Sequence, residues 1–193
     1  VVAGHIGPSG GVTGMRLIYF SGNGNFGDEL TEVLWPKLAV EAFSTTDRVG
    51  FLGIGTIIGM PTPECDFVHV FSSGVGYDRL IGWNLPRRIW CVRGPLTAHM
   101  IGADADAAIT DGAVLAPWVI AGPGPAAGPA AVGVMPHWES LQFPGWQQAC
   151  DLAGYRLLNP IGDPASVVQT LRGMSLVLTE SLHGAIIADS YGI

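Results

Sequence analysis

Lysine is nearly missing from this chain: Lys37 is the single one among 193 residues. Charged residues make up only 13%, about half the usual share, and the net charge is −7. There is no Lys/Arg run and no basic stripe, which argues against a nucleic-acid partner. An acidic chain that binds an anion must gather its few cations in one cleft. Metal-ligand spacing is missing as well. Cys65, Cys91 and Cys150 stand far apart, each in or near an apolar run, and no CxxC, HExxH or carboxylate cluster occurs. The expectation is no metal and no bound cofactor, with three reduced, buried thiols, as suits a cytoplasmic protein. Long apolar runs are absent too. The uncharged stretch from Gly112 to Pro136 is broken at Gly122-Pro123-Gly124-Pro125 and Gly128-Pro129. A membrane span needs about 20 continuous apolar residues, so none is expected. Residues 1–14 are glycine-rich and lack the basic start and apolar core of a signal peptide, so they are expected to form a flexible leader.

What is present is a repeated alternation of short apolar runs with turns and helical patterns. Strands are expected at Met15–Phe20, Val49–Gly53, Phe67–Phe71, Ile89–Val92, Ala107–Thr110, Ala131–Met135, Tyr155–Leu158 and Ser175–Thr179. Helices are expected from Asp28 to about Phe43 with Asp28 as cap, and at Pro95–Met100, Trp146–Ala153, Pro164–Leu171 and Ser181–Ser190. Such alternation implies an α/β protein built on parallel sheets. A Pro/Gly-rich linker at 116–130 is expected to divide an N-terminal domain, 15–115, from a C-terminal one, 131–193. The second domain is expected to be incomplete, because the sequence stops at Tyr191-Gly192-Ile193 directly after a helix.

Nearly every candidate polar site follows a strand directly: Asn23 to Asp28, Gly53 to Thr56, Ser72 to Gly76, Arg93, Asp111, His137, and Glu180 to His183. In a parallel sheet these positions share one edge, where ligands bind. Ser181 suits the N-cap of the last helix, which places His183 in a first turn with free N–H groups. Arg93 offers a planar fork of donors for a carboxylate or phosphate, with Gly94 read as a sharp turn and Pro95 at the first helical position.

In order along the chain, Asn25-Phe26-Gly27-Asp28-Glu29-Leu30, Gly53-Ile54-Gly55-Thr56, Ser72-Ser73-Gly74-Val75-Gly76, Arg93-Gly94-Pro95-Leu96-Thr97, Thr110-Asp111-Gly112-Ala113 and Glu180-Ser181-Leu182-His183-Gly184 resemble the polysaccharide pyruvyl transferase family. The resemblance runs from about Met15 to Ile193. It implies two Rossmann-like parallel-sheet domains in a GT-B-like arrangement. It implies phosphoenolpyruvate as donor, the hydroxyls of a saccharide as acceptor (free or lipid-linked), and no metal for the chemistry.

Making a pyruvate ketal requires a proton on C3 of the enol, loss of protons from sugar hydroxyls, departure of phosphate and a fixed carboxylate. Arg93 and His183 suit the anionic groups, assisted by the helix start at Ser181. His183 is equally a candidate proton donor. His137 is read as a phosphate ligand, an acid/base group or a surface loop residue. Glu180 is read as orienting a histidine, taking a sugar proton or capping a helix. Asn25 and Asp28 could bind acceptor hydroxyls. Gly27 belongs to the same turn. Gly55, Gly74 and Gly76 would let substrate approach the backbone. Trp138 and Trp146 are stacking or core residues, and His5, His69 and His99 structural or exposed. Two rivals remain open: a glycosyltransferase using a nucleotide sugar, with Asp189 about 9 Å down its helix from His183, and a non-catalytic sugar-binding module.

Overall fold

A computed structural model describes residues 14–22, 24–44, 46–76, 83–122 and 130–193. Nearly all of the expected leader, with His5, lies outside the described residues, as do Asn23 and residues 123–129 of the expected linker.

The chain is α/β with two parallel sheets. Strands β1 (Arg16–Ile18), β2 (Val49–Leu52), β3 (Phe67–Phe71) and β4 (Arg87–Cys91) form the first sheet, in sequence order. Strands β5 (Val132–Met135), β6 (Arg156–Leu157) and β7 (Leu176–Thr179) form the second, in the order β6-β5-β7. All pairings are parallel. The two orders matter for function. The first sheet has no reversal of strand order, unlike the 3-2-1-4 order of a dinucleotide-binding half. The second reverses at β5, so the crevice beyond the ends of β5 and β7 is a topological switch point, where open parallel sheets bind ligands.

The helices are α1 (Phe26–Leu38), α2 (Pro95–Ile101), α3 (Ala116–Val119), α4 (Gly145–Ala153), α5 (Pro164–Arg172) and α6 (Leu182–Ser190). Helix α1 joins the two sheets. Phe26, Leu30 and Leu34 recur every four residues, form one stripe, and are fully buried. They share a core with Val167, Val168 and Leu171 of α5 and Ile187 of α6. Each such side chain contributes roughly 1.5–3 kcal/mol through burial. The start of the expected linker belongs to this core. Ala116 and Ile120 are buried, and the Tyr191 hydroxyl donates to the Ile120 carbonyl at 2.8 Å.

Four expectations are corrected. Asn25, not Asp28, caps α1: its backbone is extended and its side chain accepts from the Gly27 N–H. Asp28 then falls in the first turn, where its charge suits the helix dipole. The helix ends at Leu38 rather than Phe43, two residues beyond Pro36, which has no N–H to continue the ladder. The expected fifth strand is reduced to one bridge, Val92 to Ala108, because Ala105–Ala107 curls into a 3-10 turn. Gly94 makes no left-handed turn. Its φ is −176°, open to any residue, and a β-carbon there would meet nothing.

Candidate functional site

The loops after β2, β3 and β4 lie side by side, stitched by backbone bonds from Gly74 N to Gly55 O, Ile58 N to Gly74 O and Arg93 N to Ser73 O. Among the described residues Ser72 is the only non-glycine with a positive φ, 75°. That conformation is strained, and its Oγ donates to the buried Gly53 carbonyl to hold it. The stitched edge carries Arg93. Its Nε donates to Asp111 Oδ2 at 2.7 Å and its Nη1 to Thr56 Oγ1 at 2.9 Å. Gly74 makes room for the guanidinium, since a β-carbon would sit 2.7 Å from Nη1.

Asp111 is 3% exposed and spends its other oxygen on the Ala113 N–H at 2.9 Å, capping the 3-10 turn Gly112–Leu115. Its Oδ2 also lies 3.7 Å from His183 Nε2. This joins the two sheets at one point. His183 is placed by α6: Ser181 caps the helix by accepting from Gly184 N at 3.1 Å. Thr179 Oγ1 ties this start to the end of β5 by donating to the Met135 carbonyl at 3.0 Å. The imidazole lies directly on the α-carbon of Gly27, where any β-carbon would overlap the ring.

Two carboxyls therefore face one imidazole, and their surroundings push them apart. Burial raises the Asp28 carboxyl above its ordinary range. His183, the Asn25 amide and Arg93 oppose that rise, and Asp111 adds to it. Burial also pushes Asp111 up, but His183, Arg93 and the Ala113 N–H outweigh it and hold Asp111 below its ordinary range. Asp111 is thus a fixed anion, and Asp28 is the carboxyl that takes up a proton more readily. The sign for stability follows. A raised carboxyl costs stability when ionised, and the cost disappears as pH falls through its raised value. Asp28→Asn is therefore expected to raise Tm at neutral pH by about 1–8 °C, taking about 0.5–2 kcal/mol at about 2–4 °C per kcal/mol. The gap to the unsubstituted protein should close on acidification. A lower Tm for the variant at pH 7 would contradict the assignment.

A cleft of about 420 Å³ opens at this edge, large enough for a small ligand. Asn25, Asp28, Thr56, His137, Glu139, Glu180, Ser181 and His183 form its polar lining, and Phe20, Ile57, Met60, Trp138 and Leu182 an apolar one. Most of the expected set is thus brought together. Arg93 and the glycines stand behind this lining: Arg93 holds Thr56, Gly27 seats His183, and Gly74 seats Arg93. Gly55 (φ +96°) packs near Asp28 Oδ1, and Gly76 packs on the Thr56 methyl. In the structure these glycines face protein side chains.

Glu180 bonds not to a histidine ring but to a backbone. It accepts from the His137 N–H at 3.0 Å and from the Ser140 hydroxyl, which together hold its carboxyl below the ordinary range. Glu180 therefore fastens the loop after β5 beside α6. Its contribution is present above its ordinary value of 4.5 and is lost as pH falls through the lowered value. Glu180→Gln is expected to reduce hydrogen-exchange protection of the His137 amide at neutral pH. Unchanged protection would break this account of the loop. Trp146 anchors the same loop, donating to the Ser140 carbonyl at 2.9 Å. His69 accepts from the Trp90 indole, and His99 is exposed on α2. The three cysteines are free and buried.

Among the described residues, no group of three or more His, Cys, Asp and Glu is placed to hold a metal ion. None of the described helices is long and apolar enough to cross a membrane.

Asp111 is the residue that sequence reasoning placed at the edge but left out of the site. Its position after an apolar run was the available signal. Its partners, 18 residues back and on the last helix, were not readable locally.

The fold and site define an α/β protein with a polar cleft at a sheet edge. Its similarity to one characterised protein supports the resemblance of its motifs to the polysaccharide pyruvyl transferase family. It is similar to the succinoglycan biosynthesis protein ExoV of Rhizobium meliloti, at 32% identity over 191 residues, covering 93% of this chain and 58% of that protein. The chain thus spans little more than half the length of that relative. No family model matches the chain, and no solved structure matches it.

Proposed function

We propose that this chain works in exopolysaccharide biosynthesis as a pyruvyl transferase, with phosphoenolpyruvate as donor and two hydroxyls of a saccharide as acceptor. The carrying observation is the cluster of Arg93, Asp111 and His183 beside the cleft. In it Arg93 Nη2 and His183 Nε2 are buried without a hydrogen-bond partner. Buried donors left unspent are costly, on the order of 1–3 kcal/mol each, and an anionic ligand would satisfy them. The relationship to a succinoglycan biosynthesis protein supports the same reading.

The proposed reaction balances with phosphoenolpyruvate as the sole co-substrate. C3 of the enol gains a proton and becomes a methyl group. C2 gives up its π bond to C3 and its bond to the phosphate oxygen, and gains two bonds to sugar oxygens. Of the two hydroxyl protons released, one balances the new methyl group and the other leaves with phosphate. Arg93 holds the carboxylate or phosphate. His183 delivers the proton to C3. Asp28, with its raised carboxyl, and Asn25 meet the acceptor hydroxyls, and His137 reaches the phosphate. The acceptor is an exopolysaccharide or its lipid-linked repeat unit, met in the cytoplasm, and the two sheets act as facing halves in a GT-B-like manner. A nucleotide-sugar reading finds less support. Asp189, its candidate ribose carboxylate, is exposed on α6 and does not line the cleft.

The test is phosphate release from phosphoenolpyruvate, measured with and without a saccharide that carries a free diol. Release that depends on the saccharide, together with a new ketal methyl signal in the product, is expected. Release that ignores the saccharide would reduce the reading to simple hydrolysis.

A further inference from the structure

We propose that Asp111 is the positioning residue of this site: one buried carboxylate fixes Arg93 through Nε and stands against His183, keeping Arg93 Nη2 free to take an anionic ligand. The inference rests on the pyruvyl-transfer reading of the cleft.

The geometry carries it in three steps. Arg93 has three nitrogens to spend. Nε goes to Asp111 at 2.7 Å and Nη1 to Thr56 at 2.9 Å, while Nη2 has no partner. A guanidinium is planar, so fixing two of its nitrogens fixes where the third points. The anchor itself does not move. Asp111 is 3% exposed, and its second oxygen is tied to the Ala113 N–H at the start of a 3-10 turn. Finally, the same Oδ2 that holds Arg93 lies 3.7 Å from His183 Nε2. One oxygen thus references a residue beside the first sheet to a residue beside the second. Neither Asp111 nor Arg93 is in the cleft lining, but the Asp111 side chain is 2% exposed and that of Arg93 18%, so Asp111 acts through its neighbours and Arg93 is the one a ligand reaches from the cleft. The titratable and charged groups facing this point are Asp28 on α1, Arg93 before α2 and His183 on α6. Asp111, held below its ordinary range, is the one suited to remain an anion while a ligand comes and goes.

A nitrogen-15 arginine NMR titration tests this on the unsubstituted chain. In the free protein the Arg93 Nε–H should give a slowly exchanging signal. Adding phosphoenolpyruvate should leave it in place and shift the Nη signals. Asp111→Asn should lose the slow Nε–H signal and weaken phosphoenolpyruvate binding by about tenfold or more. Arg93→Lys should weaken it too, and the double variant should be little worse than Arg93→Lys alone, because coupled residues are not additive. Losses that multiply in the double variant would overturn the proposal. So would an Nε–H signal that moves away on binding, since Arg93 would then have exchanged Asp111 for the ligand. If Asp111→Asn does not fold, the unsubstituted spectrum alone decides. Inorganic phosphate serves as second probe. A response to phosphate but none to phosphoenolpyruvate would remove the donor assignment, with the Nε/Nη split under phosphate still judging Asp111. No response to either would overturn both.

Discussion

Gly27→Ala is expected to abolish turnover while leaving most of the fold intact. The imidazole of His183 rests on the bare α-carbon of Gly27, and a methyl there would overlap its Nδ1, Cγ and Cβ atoms. The ring has no easy retreat. His183 is 6% exposed, and its own helix is held by the Ser181 cap. Overpacking of this kind costs about 1–3 kcal/mol. Gly27 also lies within α1, where alanine gains up to about 1 kcal/mol over glycine. The two effects partly offset, so stability should fall by about 3 kcal/mol at most, whereas the ring must leave its place beside Asp111. Gly94→Ala is the control: nothing lies within 4 Å of its β-carbon position, and turnover should be unchanged. Full turnover by Gly27→Ala would show that His183 is not required where the structure places it.

The second large effect separates Arg93 from His183. Arg93→Lys keeps the charge but loses the planar fork. Lysine cannot hold Asp111, Thr56 and a ligand together, so donor affinity should fall by about 10- to 100-fold, the range of a hydrogen bond to a charged group. His183→Gln keeps hydrogen-bonding capacity but cannot deliver a proton. Turnover should then drop by about 10²–10⁴-fold with donor affinity nearly unchanged. A parallel loss of affinity and turnover in His183→Gln would make His183 an anion anchor instead, and C3 protonation would need another group.

The strands were the most legible part of the chain. Phe67–Phe71 was read residue for residue, and β5 and β7 to within one residue, because apolar runs between turn signals are a local property. The cap at Ser181 was legible for the same reason: it accepts from an N–H only three residues on. Asp28 was misread because Asn25, three residues earlier in the same turn, is an equally good cap, and only the backbone conformation decides between them. The gathering of Asn25, Asp28, His137, Glu180, Ser181 and His183 followed from their shared place after strands. What those residues do to one another was not legible. The bonds of Glu180 to the His137 backbone and of Arg93 to Asp111 span 43 and 18 residues, and no local pattern encodes them. The glycines teach the same lesson. Gly27 and Gly74 were noticed as motif members, but they are required because an imidazole and a guanidinium from elsewhere in the chain occupy the space a side chain would need.

The central claim is that this cleft takes phosphoenolpyruvate, and paired thermal melts test it most directly. The protein is heated with phosphoenolpyruvate in one arm and with a panel of nucleotide diphosphate sugars in the other. A ligand at about 100 times its Kd adds roughly 2.7 kcal/mol, which at about 2–4 °C per kcal/mol is a rise of about 5–10 °C. The account predicts that rise with phosphoenolpyruvate, its loss in Arg93→Lys, and no rise with any nucleotide sugar. Stabilisation by a nucleotide sugar with none by phosphoenolpyruvate would contradict it and make the cleft a glycosyltransferase donor site.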